Sequence, residues 1–413
     1  MLQNKEYDIL LKNGHVIDPA NQIDSRMDIA VKNGKICKAE ADIREKNVKK
    51  VLDVKGCYVV PGLIDMHCHC YPLFPLYKDS LPTINPDAHM FQAGVTTAVD
   101  AGTCGWKDFY RFKEEIIDKA ETRILAFLNI ASGGMVHLDT EQEPKNFHPQ
   151  IAASMAKEFD DVVVGFKSAH YWVGIPFDEV HTPWASIDCM TEAGELCNKP
   201  CMADFQPNLP LRTYQELILE HLRPGDIHTH VFAQQFPILD ENGEVEDYMY
   251  RARERGVLFD LGHGAFSFWF RNAVPALRQG FYPDTISTDL YVDNVAGPVI
   301  SMTHVMSKYL NMGMPLREVI YRSTVRPAQV VRHPELGTLS VGSCADVAIL
   351  RDLEGPVAFA DSGRTRINGN HRLECVGTIR NGKIVYNPYA MGMPEWENAP
   401  APYWTTPGVL DLD

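Results

Sequence analysis

The stretch VVPGLIDMHCHC, at residues 59–70, decides the fold of this chain. It begins as an apolar run typical of a buried strand and ends in two histidines, His67 and His69. Because residues i and i+2 of a strand point to the same side, the two imidazoles are predicted to project together. Such a pair is a candidate set of metal ligands. The alternative is two half-buried histidines that bond to backbone carbonyls.

Seven further apolar runs follow this one, and helical patterns separate most of them. The eight runs cover residues 62–67, 95–101, 124–130, 162–166, 201–205, 227–232, 257–261 and 285–288. Strands that alternate with helices over about 230 residues favour an α/β fold, the (β/α)8 TIM barrel, over a doubly wound sheet. No GxGxxG motif follows the first run, which removes the main argument for a dinucleotide-binding fold.

Both ends of the chain are predicted to form short strands joined by tight turns. KNG occurs at 12–14 and 32–34, and Asn-Gly is the strongest short signal of a β-hairpin. The same pattern, short apolar runs around an Asn-Gly pair, recurs in ECVGTIRNGKIVY at 374–386. We therefore predict three parts: a composite β-sandwich domain from 1–60 and 340–390, a barrel from 61–339, and an irregular C-terminal tail at 391–413.

The charge of the chain limits its partners. The 413 residues carry a formal net charge of −15, which argues against nucleic acid or an anionic membrane as a partner. No apolar run reaches the roughly 18–20 residues that a membrane span needs, and the charged N-terminus does not resemble a secretory leader. Ten scattered cysteines without a CxxC pair are typical of reduced thiols. We therefore expect a cytoplasmic protein.

Polar side chains stand at the ends of several later runs. They are Lys167 after VVVGF, His228 and His230 in DIHTH, His263 between two glycines, and Asp289 at the end of TISTD. The carboxyl ends of barrel strands carry the chemistry, so these groups are predicted to meet at one mouth of the barrel. Lys167 allows two interpretations, an ion pair with a carboxylate or a functional amine whose pKa is lowered by burial.

Seven motifs, in this order, span nearly the whole chain: VVPGLIDMHCH, GVTTAVDAGT, GFKS, DIHTH, DLGHG, STD and LGTLSVGSCADVAIL. In these motifs the sequence resembles the amidohydrolase superfamily of metal-dependent hydrolases. The resemblance implies a (β/α)8 barrel with a small β-sandwich made from both chain ends, in agreement with the patterns above.

The resemblance also implies a role for each residue at the mouth. His67 and His69 would bind a first metal ion, and His230 a second. Lys167 matches the lysine that family members carbamylate with CO2, which turns a cation into a bridging carboxylate. Asp289 would bind the first ion and act as the catalytic base and acid, passing a proton from metal-activated water to the leaving group. One or two Zn2+ ions are expected, because the ligands are imidazole and carboxylate.

One position departs from the family pattern. Members normally carry a histidine at the end of strand five, where this chain reads KPCMADFQP and places Asp204. A carboxylate can still bind zinc, so Asp204 is predicted to be a metal ligand, in a second site that is altered, weak or empty. His228 is expected to be structural, and Asp65 and His170 are expected to support the ligands.

The substrate class follows from the residue two positions after the histidine pair. Tyr71 stands there, and HxHxY resembles the amidohydrolase/deacetylase branch, whose members are dihydroorotase-like. We therefore expect a hydrolase of amides or esters, of the acyl-amino-acid or acetyl-hydroxy-acid type, acting as a homo-oligomer on a small molecule with a carboxylate. Tyr71 and His263 are candidate substrate-binding residues; the alternatives are a packing tyrosine and a loop histidine. The ASGGM loop, at 131–135, is either a carboxylate-binding loop or a plain glycine turn.

Two other functions stay open. A dihydroorotase or cyclic amidase is the first, although such enzymes resemble HxHxR and this chain has Tyr71 in place of the arginine. The second is a non-catalytic assembly protein. Some barrels related to dihydropyrimidinases have lost metal ligands and serve in this way. Only Asp204 favours that interpretation.

Overall fold

The computed structural model of the protein describes residues 6–74, 76 and 80–405. Its strands are β1 (Tyr7–Asp18), β2 (Ile23–Lys32), β3 (Lys35–Glu40), β4 (Val48–Asp53), β5 (Tyr58–Pro61), β6 (Leu63–Cys68), β7 (Val95–Gly105), β8 (Arg123–Asn129), β9 (Val163–Ser168), β10 (Cys201–Ala203), β11 (Ile227–His228), β12 (Leu258–Phe259), β13 (Val347–Ala360), β14 (Arg366–Arg380) and β15 (Lys383–Tyr386). Its α-helices are α1 (Pro86–His89), α2 (Phe109–Phe112), α3 (Pro149–Glu158), α4 (Ala185–Cys197), α5 (Tyr214–Glu216), α6 (Asp247–Glu254), α7 (Phe270–Arg278), α8 (Met302–Asn311), α9 (Leu316–Ser323) and α10 (Val325–Val330).

Strands from both chain ends form one mixed sheet. Its order is β15-β14-β13-β5-β1-β2-β3, and β4 pairs with β1 in parallel. The predicted Asn-Gly turns at Asn33-Gly34 and Asn381-Gly382 are confirmed, because all four residues have positive φ and connect antiparallel strands. The predicted turn at 12–14 is wrong. That segment lies inside β1 at a β-bulge.

The middle of the chain forms a parallel sheet of seven strands in sequential order, β6 to β12. A helix follows each strand, as the alternating pattern predicted. Apolar side chains fill both faces of the sheet, which is why its strands read as continuous apolar runs rather than as alternating ones. One of these faces packs against α10. Three strands, β10 to β12, are shorter than the predicted runs.

The eighth predicted run, 285–288, pairs with both edges of this sheet. Thr285 forms an isolated parallel bridge with Asp260, just beyond β12, and Leu290 forms one with Cys68 of β6. The backbone N–H of Asp289 donates to the carbonyl of His67 at 2.6 Å. This segment therefore carries Asp289 directly beside β6, which carries His67 and ends one residue before His69.

The tail after β15 is irregular over its described part, with short 3-10 turns at Trp396–Asn398 and Ala401–Trp404. Residues 406–413 of the predicted tail lie outside the described residues. The domain boundaries given above stay predictions. No helix within the described ranges has both the length and the apolarity that a bilayer crossing requires.

Candidate metal centre

Five side chains from four separate segments line one buried cavity of about 130 Å³: His67, His69, Asp204, His230 and Asp289. One donor atom from each of His67, His230 and Asp289 lies within 4.8 Å of the others. Asp289 Oδ1 is 2.9 Å from His69 Nε2, and Asp204 Oδ2 is 3.6 Å from His230 Nε2. The structure thus brings together five of the six predicted ligands at the carboxyl ends of the strands, and the sixth, Lys167, does not line this cavity.

The three histidines present the same ring nitrogen to the cavity. In each ring Nδ1 has a partner behind it: Thr229 Oγ1 at 2.9 Å for His67, Thr103 Oγ1 at 2.7 Å for His69, and the Gly262 carbonyl at 2.6 Å for His230. This leaves Nε2 of every ring free to face Asp204 or Asp289.

Carboxylates behind the two threonines fix the position of the ring protons. Thr229 donates its hydroxyl to Asp260 at 2.8 Å, and Thr103 donates to Asp100 at 2.9 Å. A hydroxyl that already donates its hydrogen can only accept a second hydrogen bond from the imidazole, so Nδ1 carries the proton. The carbonyl of Gly262 imposes the same tautomer on His230. Each Nε2 therefore offers a lone pair, which is the form that binds a metal ion.

Lys167 ends β9 in a fully buried position. Across the described residues it forms no ion pair, and its nearest hydrogen-bonding atom is Met202 Sδ at 3.6 Å. Burial lowers the pKa of Lys167, although the charges of Asp204 and Asp289 act in the opposite direction. Of the two interpretations offered by the sequence, the geometry favours the functional amine over the ion pair. Gly102 makes room for the lysine, since a Cβ there would lie 2.5 Å from Lys167 Cβ.

Asp204 and His170 give the other side of the cavity its charge. Burial opposes ionisation of Asp204, but the charges of His230 and Lys167 prevail and hold its pKa below the ordinary range. His170 lines the cavity and pairs through Nδ1 with Glu141 Oε2 at 3.0 Å. Burial disfavours its charged form, but the carboxylate of Glu141 raises the pKa of His170 overall. This side of the cavity therefore combines a carboxylate with a basic imidazole.

The backbone at two ligands is left-handed, with φ of 64° at His230 and 51° at Asp289. Non-glycine residues adopt this conformation at a cost of about 1–3 kcal/mol, and such residues cluster at functional sites. The conformation also explains the difference between His228, which the sequence predicts to be structural, and His230. Strand β11 ends at His228, whose ring packs against Tyr214 and Phe236 instead of facing the cavity with His230.

In the GHG motif, the glycines rather than the histidine approach the metal site. A Cβ on Gly262 would lie 2.7 Å from His230 Nδ1, and one on Gly264 would lie 2.3 Å from Asp289 Oδ2. His263 does not line the cavity: its Nε2 accepts a hydrogen bond from Lys308 Nζ at 2.7 Å. The buried His263–Lys308 pair thus holds the loop that packs against Asp289.

Two other residues singled out by the sequence lie apart from the cavity. Tyr71 is fully buried, with its ring 4.8 Å from that of Phe112. Asp65 Oδ1 accepts hydrogen bonds from the backbone N–H groups of Thr288 at 3.0 Å and of His67 at 3.4 Å, so it contacts the backbone of a candidate ligand rather than an imidazole ring. The tyrosine that lines the cavity is Tyr291, which sequence reasoning missed although it lies two residues after Asp289.

Comparisons with known proteins agree with this geometry. A deacetylase of Enterococcus faecalis is 30% identical over 386 residues, which cover 92% of this chain and 100% of that protein. A crystal structure of an adenine deaminase superposes with a TM-score of 0.82 at 29% identity, over 92% of this chain and 100% of that one. A crystal structure of a dihydroorotase superposes with a TM-score of 0.76 at 26% identity, over 92% of this chain and 99% of that one. No protein-family model matches the chain.

The chain belongs to the amidohydrolase superfamily and is a hydrolytic enzyme. Within that superfamily, relatives that match over most of its length carry the name deacetylase.

Proposed function

We propose that the protein is a metal-dependent hydrolase that removes an acyl group, above all acetyl, from the nitrogen or oxygen of a small carboxylic acid. The observation that carries this proposal is the set of three Nε2 lone pairs that converge with Asp289 in one buried cavity. The deacetylase relatives that match over most of this chain support the reaction type.

The donor set fits divalent cations. His67, His69 and Asp289 would hold one ion, His230 and Asp204 a second, and carbamylated Lys167 would lie between them. Imidazole nitrogens and carboxylate oxygens favour zinc. Divalent ions held in this way lower the pKa of water and polarise a carbonyl group.

Carbamylation of Lys167 requires a neutral amine. The Nζ lone pair forms a bond to the carbon of CO2, the amine loses a proton, and the product is an anionic carbamate. Burial at the end of β9, without an ion pair among the described residues, supports this role because it favours the uncharged amine. The carbamate would add a second anionic group beside Asp289.

Asp289 is suited to move the proton. Its Oδ1 lies in the cavity beside His69 Nε2, where it can accept a proton from the attacking water and return it to the leaving nitrogen or oxygen. Its backbone is held on both sides, by the carbonyl of His67 at 2.6 Å and by Asn294 Nδ2 at 2.7 Å. The carboxylate is therefore positioned before substrate binds.

The pairing of segment 285–290 with both sheet edges supports the finer fold assignment. We propose that this segment is the eighth strand and closes a (β/α)8 barrel.

A cyclic amidase of the dihydroorotase type is the second candidate, which the similarity to a dihydroorotase structure favours. One experiment separates the two. Zinc-loaded protein is assayed on N-acetyl amino acids and O-acetyl hydroxy acids, and in parallel on dihydroorotate and hydantoins. We expect turnover of the acetyl compounds, with loss of at least 100-fold in Asp289→Asn. Turnover of the cyclic amides alone would replace this proposal with the second candidate.

A further inference from the structure

Arg212 is fully buried, yet its guanidinium has no hydrogen-bond partner. None of its three nitrogens finds an acceptor among residues 6–74, 76 and 80–405, and no carboxylate in those ranges lies within ion-pair distance. Burial lowers the pKa of Arg212 to about 10, so the group is still a cation at neutral pH. A buried, unpaired charge is among the most costly arrangements in a folded protein.

Five aromatic rings surround this cation, and we call them the aromatic box. The distances from Arg212 Cζ to the ring centroids are 4.2 Å for Phe205, 5.7 Å for Phe177, 5.8 Å for Trp184, and 5.9 Å for both Tyr171 and Trp172. Ring faces attract a cation, but they do not accept the N–H hydrogens of the guanidinium edge. The box therefore stabilises the charge and leaves its hydrogen-bonding edge available.

The box adjoins the metal-site cavity. Phe205 directly follows Asp204, and Tyr171 directly follows His170, both of which line that cavity. Arg212 lies in the loop after β10, where its backbone exchanges two 2.8 Å hydrogen bonds with that of Asn208. The box and the metal ligands are thus at the same end of the parallel sheet.

Arg253 shows that this chain supplies partners even to an arginine that is only partly buried. Its Cζ lies 4.0 Å from the Phe281 ring centroid, an arrangement similar to that of Arg212 and Phe205. However, Arg253 also donates to the carbonyl of Tyr282 at 2.6 Å and lies 3.9 Å from Asp284. Arg212 differs in lacking any such acceptor within the described part of the chain.

We propose that Arg212 is the receptor for the carboxylate of the substrate, with the aromatic box around the adjoining apolar group. This inference rests on the proposed hydrolase function and names the residue that selects its substrate class. A carboxylate satisfies two guanidinium N–H groups at once, which makes it the best match for the open edge. The loops at 169–184 and 204–213 contain no helix or strand, and they must part for the ligand to enter.

The test is calorimetric titration of zinc-loaded protein with phenylacetate and with its neutral counterpart phenylacetamide. We expect phenylacetate to bind the wild type at least tenfold more tightly than phenylacetamide. Arg212→Met should weaken phenylacetate binding at least tenfold and leave phenylacetamide unchanged. The control is Arg253→Met, which also removes an arginine stacked on an aromatic ring, here a partly buried one, and should change neither affinity more than twofold.

Failures of the two proposals give different results. Phenylacetate binding that is unchanged in Arg212→Met would mean that the carboxylate binds elsewhere, such as at the metal ions, and would overturn the role of Arg212. If Arg212→Met does not fold, Arg212→Lys replaces it and should lose at least threefold for phenylacetate only. Equal affinity of the wild type for acid and amide would also overturn the inference. If phenylacetate binding depends on Arg212 but the protein hydrolyses no acyl compound, only the hydrolase proposal would be overturned.

Discussion

Gly264 leaves the space that the carboxylate of Asp289 occupies. A Cβ built on Gly264 would lie 2.3 Å from Asp289 Oδ2, well inside the contact distance of the two atoms. The backbone at Gly264 also has a φ of 54°, which favours glycine. Gly264 therefore leaves room for the carboxylate that we propose as the catalytic base, and a side chain at this position would displace it.

Gly264→Ala is expected to reduce turnover about 100-fold, because a shift of roughly 1 Å in a reacting group has an effect of that size. The measurement is kcat on the best acetyl substrate, together with zinc content. Gly280→Ala is the matched control: its φ is 78°, but a Cβ there meets nothing within 4 Å. If both variants lose the same small amount of activity, backbone strain rather than contact with Asp289 would explain the effect.

Lys167→Ala is expected to lose bound zinc and activity, because the proposed carbamate could no longer form. Short carboxylic acids such as acetate or propionate should restore part of both by filling the space of the missing group. Zinc content and kcat are measured with and without the acid. The control is the exposed Lys383→Ala, which should behave as the wild type. Full zinc content and full rate in Lys167→Ala would contradict the bridging role.

Thr103→Val is expected to weaken zinc binding about 10–100-fold, as is usual when the group behind a ligand histidine is lost. The valine is similar in shape but cannot accept the hydrogen of His69 Nδ1, which the threonine hydroxyl holds at 2.7 Å. Zinc affinity is measured by competition with a chelator. Thr191→Val, on α4, removes a hydroxyl that bonds only to backbone carbonyls and should leave the affinity unchanged.

Asp28 in the mixed sheet predicts a pH effect on stability. Although burial opposes ionisation, hydrogen bonds from Lys12 Nζ and from the backbone N–H groups of Ile43 and Asn13 lower the pKa of Asp28. A carboxyl whose pKa is lowered on folding stabilises the protein above its unfolded pKa, and this contribution is lost as the pH falls through the folded value. Asp28→Asn should thus reduce the free energy of unfolding by roughly 2–3 kcal/mol at pH 7 and by less at pH 3.

Urea titrations at both pH values provide the measurement. Asp42→Asn is the control, because Asp42 binds the same lysine at 2.9 Å from an exposed position and should contribute under about 1 kcal/mol. A penalty for Asp28→Asn that does not change with pH would show that lost packing, not lost charge, is the cause.

The order of strands and helices in the middle of the chain could be predicted because both faces of the parallel sheet are buried, so each strand is a continuous apolar run. The lengths of β10 to β12 could not be predicted, because in each case the apolar run continues past the residue where the strand ends. The segment at 12–14 could not be predicted either. Asn-Gly supplies positive φ equally well to a hairpin turn and to a β-bulge, and only the packing of Gly14 against Val59 decides between them.

The meeting of the candidate ligands in one cavity could be predicted from strand ends and family motifs, but the groups that hold them could not. Thr103, Thr229 and Asp260 lie within the motifs GVTTAVDAGT, DIHTH and DLGHG, but a motif does not show which histidine each of these residues contacts. For Tyr71 the difference is the reverse. Its position in the motif made it a candidate substrate contact, but its side chain lies in the core. Arg212 carried no signal in the sequence; only its burial without an acceptor sets it apart.

Strand β5 is hydrogen-bonded to β13 and leads through Gly62 alone into β6, whose penultimate residue is His67. Because β13 follows every candidate ligand along the chain, translation produces all of those side chains before it produces the strand that pairs with β5 on this side. A chain truncated before β13 would keep the candidate ligands and leave one edge of β5 without its partner strand.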